Sequence, residues 1–322
     1  MITGSTFFIT GGAGFIGSWI IEQVIENNQV VVYDNCHRNA LQYTPFMNHS
    51  NLKFIKGDIL RVEELQAALP AKCDYVIHLA GIAGVPTVVK HPALTLQVNL
   101  IGTYNILNLL PGRDIKRFID FSTSEVYGPH VFRASEDGMT TQGPLSQPRW
   151  VYAVSKLASE YLTHSYYREH GLPIITIRPF NVYGPRQVGE GAIHHFILRA
   201  IKNENVIVHG NGDSIRSWCY VSDIVDAVLA VCENDNAVGE HFNIGNPQAT
   251  GTTLELAKKI INLSESRSKI ELREIDYPDV EVRVPSITKA KKLFGYEPKI
   301  DYETGIRKTI EWYRGKLKDD LQ

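Results

Sequence analysis

The sequence predicts an α/β protein built on a doubly wound parallel sheet, with a smaller α/β lobe toward the C-terminus. Three observations carry this. A glycine-rich turn separates the first buried-type strand from the first helix, and strands then alternate with helical segments. From Arg178 a Pro- and Gly-rich connection, RPFNVYGPRQVGEG, leads into shorter mixed elements. Strands separated by helices of about ten or more residues need right-handed parallel crossovers. The 322 residues suffice for one large core and a lobe, divided as 1–178 and 179–322 with sheet elements returning near 220–245.

Thr6 to Thr10 (TFFIT) reads as a short buried strand that breaks into Gly11-Gly12-Ala13-Gly14-Phe15-Ile16-Gly17 and an amphipathic helix to about Asn27. Gly11 allows a tight turn. Gly14, with Phe15 and Ile16 behind it, lets backbone N–H groups approach a pyrophosphate at the helix N-terminus, and Gly17 lets the helix pack close to the strand. The second strand, QVVVY, ends at Asp34, 17 residues past the third glycine, where a carboxylate meets adenosine ribose hydroxyls. This pattern predicts dinucleotide binding. Asp34 repels a 2′-phosphate and Asn35 and Cys36 follow it, so NAD is expected over NADP, with Arg38 the one nearby cation.

The alternation continues through strand NLKFIKG to Asp58-Ile59, a helix near Arg61 to Leu69, strand CDYVIHLAG, a long helix from Pro92 to Leu110, and strand RFIDFSTSEVYG. In a doubly wound sheet the ligand lies across the C-terminal strand ends. Asp58, Leu79-Ala80-Gly81 and Ser122 to Glu125 fall there, Asp58 as a helix N-cap or as a contact to the adenine edge. His78 is expected to be a packed strand residue. Gln42 to Asn48 form a loop without an evident role.

In Trp150 to Lys156, WVYAVSK, positions i and i+4 place Lys156 beside Tyr152 on one helix face. A fixed ammonium favours a phenolate and is expected to pull the Tyr152 pKa down from about 10. Such a tyrosine can take a proton from an alcohol while a neighbouring nicotinamide takes the hydride.

The formal net charge of −2 gives no basic field for nucleic acid. Cys36, Cys73, Cys219 and Cys232 have neither metal-ligand spacing nor disulfide-scaffold density. With no leader-like or membrane-spanning apolar run in view, the expectation is a cytoplasmic protein without metal, membrane or nucleic-acid partners.

TGGAGFIG, Asp34, Asp58-Ile59, HLAG, Asn99, STSEVYG, YAVSK, RPFNVYGPR, RSWCYVSD and FGYEP follow one another in order. In these the chain resembles the extended short-chain dehydrogenase/reductase family, in its nucleotide-sugar epimerase, dehydratase and decarboxylase branch on a Rossmann fold. The resemblance implies a tightly kept NAD that oxidises a sugar at carbon 4 and later reduces an altered product. It implies a catalytic group of Ser122 or Thr123, Tyr152 and Lys156, with Asn99 among the cofactor-side residues and the nicotinamide bedded near Pro179 to Val182. It also implies a second lobe holding the nucleotide diphosphate through Asn181, Arg186, Arg216 and Arg283, each arginine equally capable of a surface ion pair. Val206 to Val208, before the Gly210-Asn211-Gly212 turn, are expected to form a short edge against the base. A homodimer through the helices near 92–110 and at Tyr152 is expected by analogy.

Within the branch, Glu125 stands where similar 4-epimerases usually carry Thr, Ser or Ala. STSEVYG, PRWVYAVSK, NIGNP and VRVPSITKAKKLFGYEPKI are most similar to UDP-glucuronate decarboxylases. That similarity implies Ser124 and Glu125 facing a sugar carboxylate and Arg283 binding it or donating a proton, although Arg283 could instead be a diphosphate ligand or a lobe-packing residue. Dehydratases of the branch usually carry an aspartate before the glutamate, where this chain has Ser124. The order of expectation is UDP-glucuronate decarboxylase, NDP-hexose 4,6-dehydratase, then 4-epimerase. A catalytically silent NAD-binding regulator is the non-enzyme alternative, and the tyrosine, lysine and hydroxyls that it would be free to lose are all retained.

Overall fold

Seven parallel strands form the central sheet of the computed structural model, which describes residues 2–275 and 277–319. Their spatial order is His241–Ile244, Ile174–Pro179, Arg117–Phe121, Tyr75–His78, Thr6–Thr10, Gln29–Asp34 and Leu52–Lys56. Apart from the edge strand Leu52–Lys56, whose lysines are exposed, the strands are largely buried on both faces and read as apolar runs. Phe7, Ile9, Ile77, Ile119 and Ile177 pack into one core, whereas Phe8, Val31, Val76, Phe118 and Ile174 pack into the other. Winding reverses between Thr6–Thr10 and Tyr75–His78, and the ends of these two strands open the crevice in which such sheets hold ligands.

The segment expected as one helix from Pro92 to Leu110 is interrupted. Pro92–Leu96 runs into a π-helical stretch, Gln97–Ile101, before Gly102–Asn108, and a further helix, Val85–Lys90, precedes it. Asn99 lies in the π stretch, where its carbonyl accepts from the hydroxyls of Thr103 at 2.6 Å and Ser159 at 2.9 Å. The Ser159 bond ties the bulge to helix Val151–His170. The loop at 42–48 holds two 3-10 turns, Leu41–Tyr43 and Pro45–Asn48, and the amides of Ala40 and Leu41 bond the Ala13 carbonyl, bracing the glycine-rich turn.

The smaller lobe is organised on a four-stranded sheet ordered Thr250–Thr252, Ile215–Ser217, Val282–Pro285 and His130–Ala134. A cut at residue 178 therefore does not separate the two sheets: His130–Ala134 is lent forward to the small one and His241–Ile244 returns to the large one. Arg178 ties the parts together. Its guanidinium donates to both Glu160 oxygens at 2.8 and 2.6 Å, to the Tyr127 hydroxyl at 2.7 Å and to the Glu136 carbonyl at 3.0 Å. Among the described residues no helix is long and apolar enough to cross a membrane.

Candidate active site

The glycine-rich turn lies against the HLAG strand end. Gly11 has φ +71°, and a Cβ there would sit 2.5 Å from the Ala80 amide nitrogen; at Gly17 it would sit 2.6 Å from the Gly12 Cα. Gly14 caps helix Phe15–Val24 without a side-chain acceptor. The first-turn amides of Phe15, Ile16 and Gly17 consequently face outward without intrahelical acceptors, as an anion requires.

Asp34 takes the Ala13 amide on one carboxylate oxygen at 3.0 Å and the Cys36 amide on the other at 2.7 Å, fixing the glycine-rich turn against the end of the second strand. Burial raises its pKa, against these two amides. The Asn35 side chain accepts from His37 N, and Asp58 accepts from Leu60 N at 2.9 Å, so Asp58 caps its own turn. Ile59 is buried, and a Cβ on Gly102 would come within 2.8 Å of it. Beyond Leu79 and Ala80, Gly81 lies close to the Asn99 carboxamide and the Lys156 ammonium. Asn99 fixes this end of the crevice: its side chain accepts from Ile82 N at 2.7 Å and donates to Ile82 O and the Ser155 hydroxyl.

At the mouth of the crevice Tyr152 hydrogen-bonds Thr123, whose hydroxyl also accepts from Glu125 N at 3.1 Å. The expected acidification of Tyr152 by Lys156 is not what the structure shows. Burial pushes the Tyr152 phenol up to about 12, and the Lys156 ammonium reaches inward to the Phe121 carbonyl at 2.6 Å. Sharing a helix face brings the two side chains near each other but does not aim the amine at the hydroxyl. Ser122 is buried and its Oγ has no partner among the described residues, while Ser124 is buried in the turn beside Glu125.

Glu125 is the hub of an ion-pair chain. One carboxylate oxygen pairs with Arg283 and the other accepts from Arg149 at 3.0 Å; Arg149 continues to Asp279 at 2.9 Å, and Asp279 to Arg216 at 3.2 Å. Arg283 is 1% exposed and also donates to the Gly128 carbonyl at 2.6 Å. Burial works to raise the Glu125 pKa, but the two guanidinium groups outweigh it and bring the carboxyl to about 2. Burial lowers the Arg216 pKa to about 10, with Asp279 opposing.

Glu125, Arg149, Tyr152, Asn181, Val182, Arg216 and Asp279 line a cavity of about 580 Å³, in the size range of small-ligand sites. Asn181, at φ +35°, donates to the Ser217 carbonyl at 2.7 Å, and Pro179 ends the strand that leads to it. Four expected substrate residues do not line it: Ser124 is buried in the turn, Arg283 is buried behind Glu125 as its ion-pair partner, and Arg186 and Val208 lie elsewhere. The Arg186 guanidinium lies 4.3 Å over the Trp19 ring and pairs with Glu22, clamping the lobes together away from the cavity. Val208 is fully buried: in the strand Val206–His209 alternate residues point to opposite faces, and Ile207 and His209 line the cavity instead. Arg149 and Asp279 were missed as site residues. The only sequence signal for Arg149 was its place in PRWVYAVSK, and nothing marked Asp279.

The paired clash points at Gly11 and Gly17, the open helix N-terminus and the unpartnered Ser122 hydroxyl fit a dinucleotide laid from Asp34 toward Tyr152. The profile of the "NAD dependent epimerase/dehydratase family" matches residues 7–245. A UDP-N-acetyl-alpha-D-glucosaminuronate decarboxylase of Bacillus cytotoxicus is 35% identical over 317 residues, covering 95% of this chain and 97% of that protein. UDP-glucuronic acid decarboxylase 1 of Xenopus tropicalis is 34% identical over 315 residues, covering 96% of this chain and 72% of that one. The solved structure of UDP-glucuronic acid 4-epimerase from Bacillus cereus, in complex with UDP-glucuronic acid and NAD, is 28% identical with a TM-score of 0.87, covering 97% of this chain and 99% of that one. With a family match across most of its length, the chain is an NAD-dependent nucleotide-sugar enzyme and belongs to the NAD dependent epimerase/dehydratase family.

Proposed function

We propose that the protein decarboxylates a UDP-hexuronate, with UDP-glucuronate as the substrate, through a 4-keto intermediate. The observation that carries this reading is Glu125 held between Arg283 and Arg149 in the cavity that also contains Tyr152. A dehydratase needs a base to remove the carbon 5 proton, and a carboxylate whose conjugate acid has a pKa of about 2 is a weak base for that task. A decarboxylase needs no such base. Loss of carbon dioxide from the β-keto acid itself generates the enolate, and the protein has only to hold the carboxylate and return a proton to carbon 5.

The roles follow from position. Gly11, Gly14, Phe15, Ile16 and Gly17 hold the NAD pyrophosphate, Asp34 the adenosine ribose, and Asn99 and Lys156 keep the nicotinamide end in place. When bound, NAD supplies the hydride acceptor. Tyr152, linked to Thr123, takes the proton of the sugar 4-hydroxyl and returns it after decarboxylation. Arg283 and Arg149 orient the carboxylate, while the Glu125 anion beside it keeps it from being bound too tightly to leave. Arg283, its pKa lowered by burial against the pull of Glu125, is the proton donor to carbon 5. Arg216 and Asn181, which line the same cavity, would contact the diphosphate.

Incubation of the purified protein with NAD and UDP-glucuronate is expected to release carbon dioxide and yield a UDP-pentose, read by mass spectrometry. No gas from UDP-glucuronate, with a 4-keto-6-deoxy product from a neutral NDP-hexose, would establish the dehydratase instead. Simple 4-epimer formation would favour the epimerase. We also propose that two copies pair through Pro92–Asn108 and Val151–His170, because Leu94, Ile101, Tyr104, Val154 and Tyr161 are exposed on those helices. Sedimentation equilibrium is expected to give the dimer mass; a monomer mass at micromolar concentration overturns it.

A further inference from the structure

The proposed chemistry leaves one buried acid unused. Asp120 lies on the strand Arg117–Phe121, directly behind the site; it is 0% exposed, and among the described residues neither carboxylate oxygen has a hydrogen-bond partner. A carboxylate so placed is strongly disfavoured as an anion unless another charge compensates it. Across the sheet its register neighbours are His78 and Thr176. His78 offers no charge: its ring nitrogens bond the hydroxyls of Thr10 at 2.7 Å and Thr103 at 3.0 Å, and burial takes its pKa down to about 3.

From the helix Val151–His170 two charged groups act on Asp120, namely Lys156 and Glu160. Glu160 is already engaged, with both oxygens on Arg178. Lys156 donates to the neutral carbonyl of Phe121, the residue that follows Asp120.

We propose that Asp120 is a positioning residue for Lys156, a buried counter-charge that keeps the lysine protonated under the Tyr152 helix and sets the upper pH limit at which the site holds NAD. Each group relieves the other. Burial raises the Asp120 pKa to about 6 and lowers that of Lys156, and in both cases the partner's opposite charge pulls it back. In a dry interior this mutual pull acts far more strongly than it would in water. Without the aspartate, Lys156 keeps the full desolvation of its position and loses the larger of the two carboxylate charges that offset it, leaving Glu160, so its ammonium is surrendered at lower pH. The inference rests on the proposed roles of Tyr152 and Lys156 at the nicotinamide end of the site.

The test is a titration of NAD affinity by the full chain, free of sugar, from about pH 6 to about pH 10, in wild type and Asp120→Asn. Asparagine keeps the shape and removes the charge. The weakening of NAD binding on the alkaline side is expected to begin at least about one pH unit lower in the variant, the shift of a lost neighbouring charge. Alkaline weakening that begins at the wild-type pH overturns the inference, even where binding is uniformly weaker across the range as a purely structural role would give. If the asparagine variant does not fold, Asp120→Ser, which leaves room for a water, carries the same titration. Failure of the underlying reading looks different: it is full turnover by Tyr152→Phe, whereas an inactive Tyr152→Phe with an unmoved Asp120→Asn profile removes the Asp120 inference alone.

Discussion

Tyr152→Phe is expected to lower turnover by about two to four orders of magnitude, the range for loss of a general acid–base group, with NAD still bound. The phenol is placed at the cavity that holds the Glu125 cluster and is linked to Thr123. In the free chain it is held near 12 by burial, a poor proton acceptor at neutral pH, and Lys156 is turned toward the Phe121 carbonyl. The hydroxyl thus becomes a base only once positive charge is brought beside it, which is the reason to expect activity to need cofactor and tyrosine together. Phenylalanine keeps the ring and loses one hydrogen bond, with a stability change of about 1 kcal/mol. Single-turnover formation of reduced nicotinamide, followed by its absorbance, makes the measurement. Undiminished reduction in the variant would remove Tyr152 from the chemistry.

Glu125→Gln is expected to abolish turnover and to destabilise the fold, because two buried guanidinium groups lose their common counter-charge. The carboxyl pKa falls from an unfolded value of 4.5 to about 2. A depressed acid contributes stability that is fully present above its unfolded pKa and is lost as pH falls through the folded one. The difference corresponds to about 3 kcal/mol at neutral pH, and the wild-type side chain is 22% exposed, so screening by solvent is limited. Denaturant melts of wild type should therefore weaken between pH 4.5 and about 2 on account of this group. The glutamine variant should start lower at neutral pH and lack that part of the acid slope. Equal midpoints for the two proteins at neutral pH would mean that the arginines are compensated elsewhere.

What the chain's own pattern revealed, and what it hid, divides along physical lines. The strand and helix order and the glycine turn were legible because they are local: Gly17 is demanded by the approach of Gly12 within the turn and Gly11 by its φ of +71°. Glu125 and Arg283 could each be singled out, yet their pairing joins residues 158 positions apart, which no spacing rule encodes. Arg149 and Asp279 complete the same chain of charges and were invisible for that reason. Val208 failed on strand parity, since the pattern of three apolar-flanked positions does not say which face meets the ligand. Arg186 failed because a cation near a glycine-rich connection can as well sit on an indole. The π stretch at Gln97–Ile101 depends on hydroxyls of Thr103 and Ser159 that a helical period does not register.

The parallel pairing of His130–Ala134 with Val282–Pro285 sets Val131 opposite Arg283, a few residues after the turn that carries Glu125. Backbone from both halves of the polypeptide is thereby interwoven at the point where the ion pair forms. The substrate-recognising part is consequently not an interchangeable cassette that recombination could graft onto another nucleotide-binding half. A change of substrate preference on this scaffold is accordingly a matter of replacing side chains around the weave rather than exchanging a module.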